Sequence, residues 1–167
     1  MKGYTGVLPN GEAIHYVDRK RWLWLLSVIY PLQTFIPLWL HHVSGNESWF
    51  VLLFVANFVA LPLLDMIVGT DENNPPEEVV MQLNRDHYYR YLTYATACAH
   101  FFALLGPAIY AATQGLSWWA FLLLAAQTGF VGGLAINTAH ELGHKNSRLE
   151  KSLARVTLGI AAYGHFT

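Results

Sequence analysis

The chain has 167 residues, of which 54% are hydrophobic and 13% charged, with a net charge of −1. So small a charged fraction cannot cover an ordinary water-facing surface, which argues for a membrane protein, and the near-neutral balance gives nucleic acid nothing to bind. The single cysteine, Cys98, excludes an internal disulfide framework and a four-cysteine zinc site and is expected to pack as a small apolar residue, leaving histidine as the one plentiful soft-metal ligand.

Residues 1–21 are polar and end in Asp18-Arg19-Lys20-Arg21, directly before the first apolar run. With no convincing small-residue cleavage site after that run, it reads as an uncleaved signal anchor. Trp22 to Leu40 carries no charged side chain and is long enough to cross about 30 Å of hydrocarbon at about 1.5 Å per residue. Pro31 and Pro37 predict kinks in this first span, with Gln33 and Thr34 at hand to cover the freed carbonyls. The link 41–48 lacks Lys and Arg, so the positive-inside rule puts the N-terminus in the cytoplasm. The second span, 49–68, has Trp49 and Phe50 at its outer boundary and Asp65 as its one charge, near the cytoplasmic side.

Residues 69–78 read as a turn and helix start, since proline suits a first helical turn and acids stabilise that end of the dipole. Asp71 and Glu72 belong to it as solvated, capping residues. A short surface helix is expected from Val79 to Tyr89. The third span, 91–113, is expected to be interrupted at Gly106-Pro107, and its His100 to be a neutral, hydrogen-bonded core residue. The fourth span, 117–140, starts at Trp118 and Trp119. Its Ala125, Gly129 and Gly133, four residues apart, predict a seam for close helix approach. Lys145, Arg148, Lys151 and Arg155 mark a second cytoplasmic exit. The apolar stretch 153–167 reads as the start of a fifth membrane-seeking helix. With no internal repeat or low-complexity tract, residues 1–167 form one transmembrane helical domain, an all-α integral membrane bundle of four complete spans and the start of another.

The fourth span closes in Asn137-Thr138-Ala139-His140-Glu141-Leu142-Gly143-His144-Lys145. Residues four apart on a helix share a face, so His140 and His144 can offer two nitrogens to one metal ion. Glu141, rotated by about 100°, can act beside a metal or orient a ligand. Asn137 continues the stripe. Asp65, as an intramembrane acid, can hydrogen-bond a metal-bound histidine, or it is wetted at the helix end. As bare pattern, His140-Glu141-Leu142-Gly143-His144 satisfies the zinc metalloprotease signature, with Glu141 as base. A non-catalytic membrane subunit with two interfacial histidines is a further reading.

The stretch Asn137–Lys145 resembles the first histidine box of the membrane alkane 1-monooxygenases. Leu64-Asp65-Met66-Ile67-Val68-Gly69-Thr70-Asp71-Glu72-Asn73-Asn74-Pro75-Pro76-Glu77 and the ending Tyr163-Gly164-His165-Phe166-Thr167 are similar to the same family, and the resemblance covers most of the chain. It implies a non-haem diiron enzyme of the class that includes xylene monooxygenase and fatty-acid desaturases. Such an enzyme uses O₂ and two electrons to convert an n-alkane to a primary alcohol. His140 and His144 would then be ligands to the two Fe ions, with the other ligands in later histidine boxes, so this stretch is expected to be catalytically incomplete. His165 precedes the second box and takes no ligand role. The resemblance also implies electrons from rubredoxin, itself reduced by an NAD(P)H-dependent rubredoxin reductase, and a bacterial inner membrane setting with the site on the cytoplasmic face. Lys145, Arg148, Lys151 and Arg155 lie where an acidic partner would dock, although topology alone accounts for them. Side chains of the four spans would line a narrow apolar channel from the lipid to His140.

Overall fold

A computed structural model describes residues 2–70 and 74–166, with the backbone alone at residue 166. The expected capping roles of Asp71 and Glu72 lie outside the described residues. The polar start, which the sequence marked only as a flank to the first span, folds into a hairpin. Strand β1 (Gly3–Val7) pairs antiparallel with β2 (Ala13–Val17), Gly3 opposite Val17 and Val7 opposite Ala13. The turn is closed by Leu8 and Glu12, whose backbones bond at 2.9 Å, and Gly11 supplies a φ of 88°. Helix α5 (Glu77–Arg85) lies directly under β1, because a Cβ at Gly6 would stand 2.6 Å from Glu78 Cβ. Pro76 and the first-turn acids Glu77 and Glu78 start α5 as the sequence suggested.

The hairpin is fastened through Asp86, whose side chain is 6% exposed. Its carboxylate accepts hydrogen bonds from Lys2 Nζ at 2.9 Å, Tyr4 Oη at 2.6 Å and Arg21 Nη1 at 2.9 Å. It also accepts from the Tyr88 N–H at 2.9 Å, which makes Asp86 the N-cap of α6 (His87–Thr113). The Arg21 guanidinium holds this carboxyl well below the usual carboxylate range, against the opposite push of burial. With a cap at Asp86, α6 starts earlier than expected and takes Tyr88 and Tyr89 away from the surface helix.

Among the described residues three helices are long and apolar enough to cross a membrane: Trp49–Val68, α6, and α7 (Trp118–Gly143). A fourth span is counted if α1 (Leu26–Leu32), preceded by a 3₁₀ turn at Leu23–Leu25, joins α2 (Phe35–Ser44) across a 42° bend. The bend falls at Gln33-Thr34. There Thr34 Oγ1 donates to the Pro31 carbonyl at 3.1 Å, and Gln33 Nε2 reaches Asn57 at 3.2 Å. Pro37 sits in the first turn of α2, where its missing N–H costs little. The second span comprises α3 (Trp49–Val55), a π turn (Ala56–Ala60) and α4 (Leu61–Val68). The widened turn precedes Pro62 and carries Asn57 inward to accept from Tyr30 Oη.

Contrary to the expected interruption, α6 runs unbroken through Gly106-Pro107. Pro107 is buried in the bundle, and Gly106 lets the Phe35 ring of α2 close in: a Cβ there would lie 2.5 Å from Phe35 Cε1. The predicted seam meets no helix among the described residues. Ala125, Gly129 and Gly133 are exposed, with nothing within 4 Å of a Cβ built on either glycine. The packed stripe of α7 is Ala120, Leu124, Val131, Ala135, Ala139 and Leu142, which meets Leu38 and Phe50 at one end and Ala97, Ala103 and Leu104 of α6 farther along. Cys98 is exposed on α6, not packed inside.

The start of α7 is closed by Glu47, which accepts from the Ser117 N–H at 2.7 Å and from its hydroxyl. At the other end α8 (Arg148–Ile160) begins in a capping box: Ser147 Oγ accepts from the Glu150 N–H at 3.2 Å, and Glu150 accepts from the Ser147 N–H at 3.3 Å. It ends with Ala162 at φ 57° and Tyr163 N–H on the Leu158 carbonyl at 2.8 Å. The expected start of a span over 153–167 is therefore a short amphipathic helix. Its buried Ala154 and Leu158 face α6 and α7, while Lys151 and Arg155 stay exposed.

Candidate metal site

Because α7 stays helical to Gly143, His140 and His144 are carried one above the other on a single face. Their Nε2 atoms are 3.0 Å apart, with ring centroids at 4.5 Å and planes at 87°. Two nitrogens bound at about 2.1 Å to one ion at a right angle would be about 3.0 Å apart, so the pair fits two adjacent positions of a divalent transition ion. Both rings are exposed. They face a cavity of about 650 Å³ whose other wall is α8 and the turn after it, with Lys151, Arg155, Leu158 and Tyr163. Among the described residues no third His, Cys, Asp or Glu joins them.

The other predicted site residues scatter. Glu141 turns away from the pair, bonds Lys145 at 2.6 Å, and lines a second cavity of about 950 Å³. Asp65 is exposed on α4 and makes no bond to either histidine, so its proposed support of a ligand is not formed here. Asn137 is the residue between: it lines both cavities, and among the described residues its amide has no side-chain partner. His100 is buried on α6 as expected, but its Nδ1 has no partner among the described residues. His165 lies 4.7 Å, centroid to centroid, from the ring of Tyr163.

The turn that bears the pair is anchored by Leu142, 1% exposed and packed with Ala97 and Ala154. Sequence reasoning missed a second anchor. Arg90 of α6 grips Glu150 of α8 with Nε at 2.8 Å and Nη2 at 3.0 Å, and Arg90 Nε also donates to Tyr94 Oη at 2.9 Å. Burial pushes the Glu150 carboxyl up, but the bonds from Arg90, Ser147 and Tyr94 outweigh it and bring its pKa to about 2. The Ser147-x-x-Glu150 spacing was the available signal for this acid.

Comparison with known proteins covers almost all of this structure. The chain is 42% identical over 166 residues to the alkane 1-monooxygenase of Pseudomonas putida, matching 99% of this chain and 41% of the relative. It is 44% identical over 155 residues to that of Ectopseudomonas oleovorans (93% and 39%) and 44% over 160 residues to alkane 1-monooxygenase 1 of Alcanivorax borkumensis (95% and 40%). The chain is homologous to the N-terminal part of the alkane 1-monooxygenases. It spans about two-fifths of the length of these relatives. No family model matches it. As an alkane 1-monooxygenase homologue it is a helical membrane protein, and those relatives continue beyond the length compared.

Proposed function

We propose that this chain forms the N-terminal part of a membrane alkane 1-monooxygenase, in which His140 and His144 hold iron of a diiron centre completed by residues outside this stretch. The observation that carries the reading is the 3.0 Å convergence of the two Nε2 atoms in a chain so similar to relatives of that name. Iron bound there would supply the activation of O₂ for insertion into a terminal C–H bond. The chain's own work is to hold and shield. Leu142 and Ala139, both buried, fix the last turns of α7 so that the two rings keep one face. The exposed apolar faces of the spans let a lipid-dissolved n-alkane approach without crossing water. The α8 wall covers the histidine side from the aqueous end. Lys151 and Arg155 set positive charge beside it, suited to an acidic rubredoxin that is reduced by its NAD(P)H-dependent reductase on the cytoplasmic face of a bacterial inner membrane.

The test uses the full-length protein in lipid nanodiscs with rubredoxin, its reductase and n-octane. Iron without zinc, formation of 1-octanol, and loss of both in His140→Ala and His144→Ala are expected. Zinc in place of iron with peptide cleavage would replace this reading by an intramembrane protease. Alkene as the sole product from n-octane, or, with p-xylene supplied in its place, hydroxylation of the aromatic methyl where n-octane gives nothing, would move the protein to a neighbouring oxygenase class.

A further inference from the structure

On the far side of the last turns of α7 from the histidines lies the larger cavity, about 950 Å³, within the range that small-molecule sites occupy. Its walls divide by chemistry. Trp24 of the first span and Leu83 of α5 give apolar surface, with Leu92 of α6 and Leu142 of α7 almost wholly buried behind it, whereas Asn137 and Asn146 offer amides. Every charge on the wall is engaged. Arg90 is held by Glu150 and Lys145 by Glu141, Asp18 accepts from Tyr89 Oη and the Lys20 N–H, and Lys20 has an interaction of its own. An anionic head would therefore compete with Glu150 for Arg90 or with Glu141 for Lys145. A neutral head would not. Among the described residues the Asn137 and Asn146 amides have no side-chain partners, and each both donates and accepts, as a hydroxyl requires. Asn137 also lines the histidine cavity, so it is the polar group shared by the two spaces.

We propose that this cavity binds a straight-chain primary alcohol, hydroxyl on Asn137 and chain along Leu83 and Trp24, and that Asn137 passes the alcohol from the histidine side into it. The origin of the alcohol rests on the function proposed above; the binding itself does not. The full-length protein in nanodiscs is irradiated with 1-decanol carrying a mid-chain diazirine, and labelled peptides are mapped by mass spectrometry. Labels are expected on the 24–27, 92–96 and 138–142 segments, competed by 1-decanol and not by decane or decanoate. Thr138→Trp, which fills the cavity, should cut this labelling by about tenfold or more. Asn137→Leu, which keeps the volume, should cut it similarly while leaving labelling by a diazirine decane unchanged. Labels spread without competition over the lipid-facing helices, or equal competition by decanoate or a phospholipid, would overturn the proposal. The two readings fail separately: hydroxylation without labelling here removes the alcohol site alone, and competed labelling here without hydroxylation removes the activity alone.

Discussion

Leu142 is the residue on which the geometry of the histidine pair should depend most, although it touches no metal. Truncation to alanine removes three carbons from a side chain that is 1% exposed, a loss of about 2.4 kcal/mol at about 0.8 kcal/mol per carbon. Its neighbours Ala97 and Ala154 are too short to fill the gap, and the partly buried Tyr94 and Leu153 beside them can swing only part of the way into it. A residual cavity of about 40 Å³ at about 24 cal/mol per Å³ adds about 1 kcal/mol, so the expected cost is about 3 to 3.5 kcal/mol. Leu142→Met keeps the volume and should cost less than about 1.5 kcal/mol. The cost falls on the contact of α7 with α6 and α8, so hydrogen exchange in residues 148–160 should speed up and the iron content of the full-length protein should fall. Amide exchange by mass spectrometry, beside metal analysis of both variants, reads this out. Unchanged exchange and full iron in Leu142→Ala would show that the turn is held by something other than this packing.

Acid should loosen α8 through Glu150. A carboxyl whose folded pKa is about 2, against an ordinary value near 4.5, contributes stability that is complete above pH 4.5 and lost as pH falls toward 2. Exchange in α8 should rise over that window in the native protein, and Glu150→Gln should be loosened already at neutral pH. Asp86 has the same sign: its hold on the hairpin should be complete above about pH 3.8 and fail only well below it, whereas Asp86→Asn should free residues 3–17 to exchange at neutral pH. Gly106→Leu should lower the midpoint of thermal unfolding because the Phe35 ring already occupies the space, and adding Phe35→Ala should recover most of the loss. Reversing Lys151 and Arg155 to glutamate should raise the apparent KM for rubredoxin several-fold at low salt and much less at high salt; no change at low salt would remove these residues from docking.

Hydropathy and aromatic placement made the spans legible, since a run of about twenty apolar residues has few other uses. The i, i+4 histidines were legible for the same reason that any helical face is. What failed was reading contact from composition. Ala125, Gly129 and Gly133 looked like a packing seam, but small size permits close approach without choosing the partner, and α7 buries a different stripe. Gly106-Pro107 looked like a break, yet a proline buried against neighbours and a glycine opposite Phe35 suit a helix contact equally well. The hairpin was hidden because its strands are five residues each and half polar, although Leu8-Pro9-Asn10-Gly11 carried its turn. Asp65 was open to two readings, a bond to a ligand histidine or a wetted helix end, and its exposure on α4 agrees with the second, which depth alone did not decide.

The link from Glu47 to Ser117 pins the helix that begins at Trp49 to the head of α7. The two helices touch again at Phe58, whose ring lies 5.1 Å from that of Phe130, so a swing about the Glu47 joint has to part these rings. The second span runs about 30 Å from that joint to Val68, so each degree of swing displaces its far tip by about 0.5 Å. Room beside the histidine end would thus open while the joined end of the bundle barely stirs.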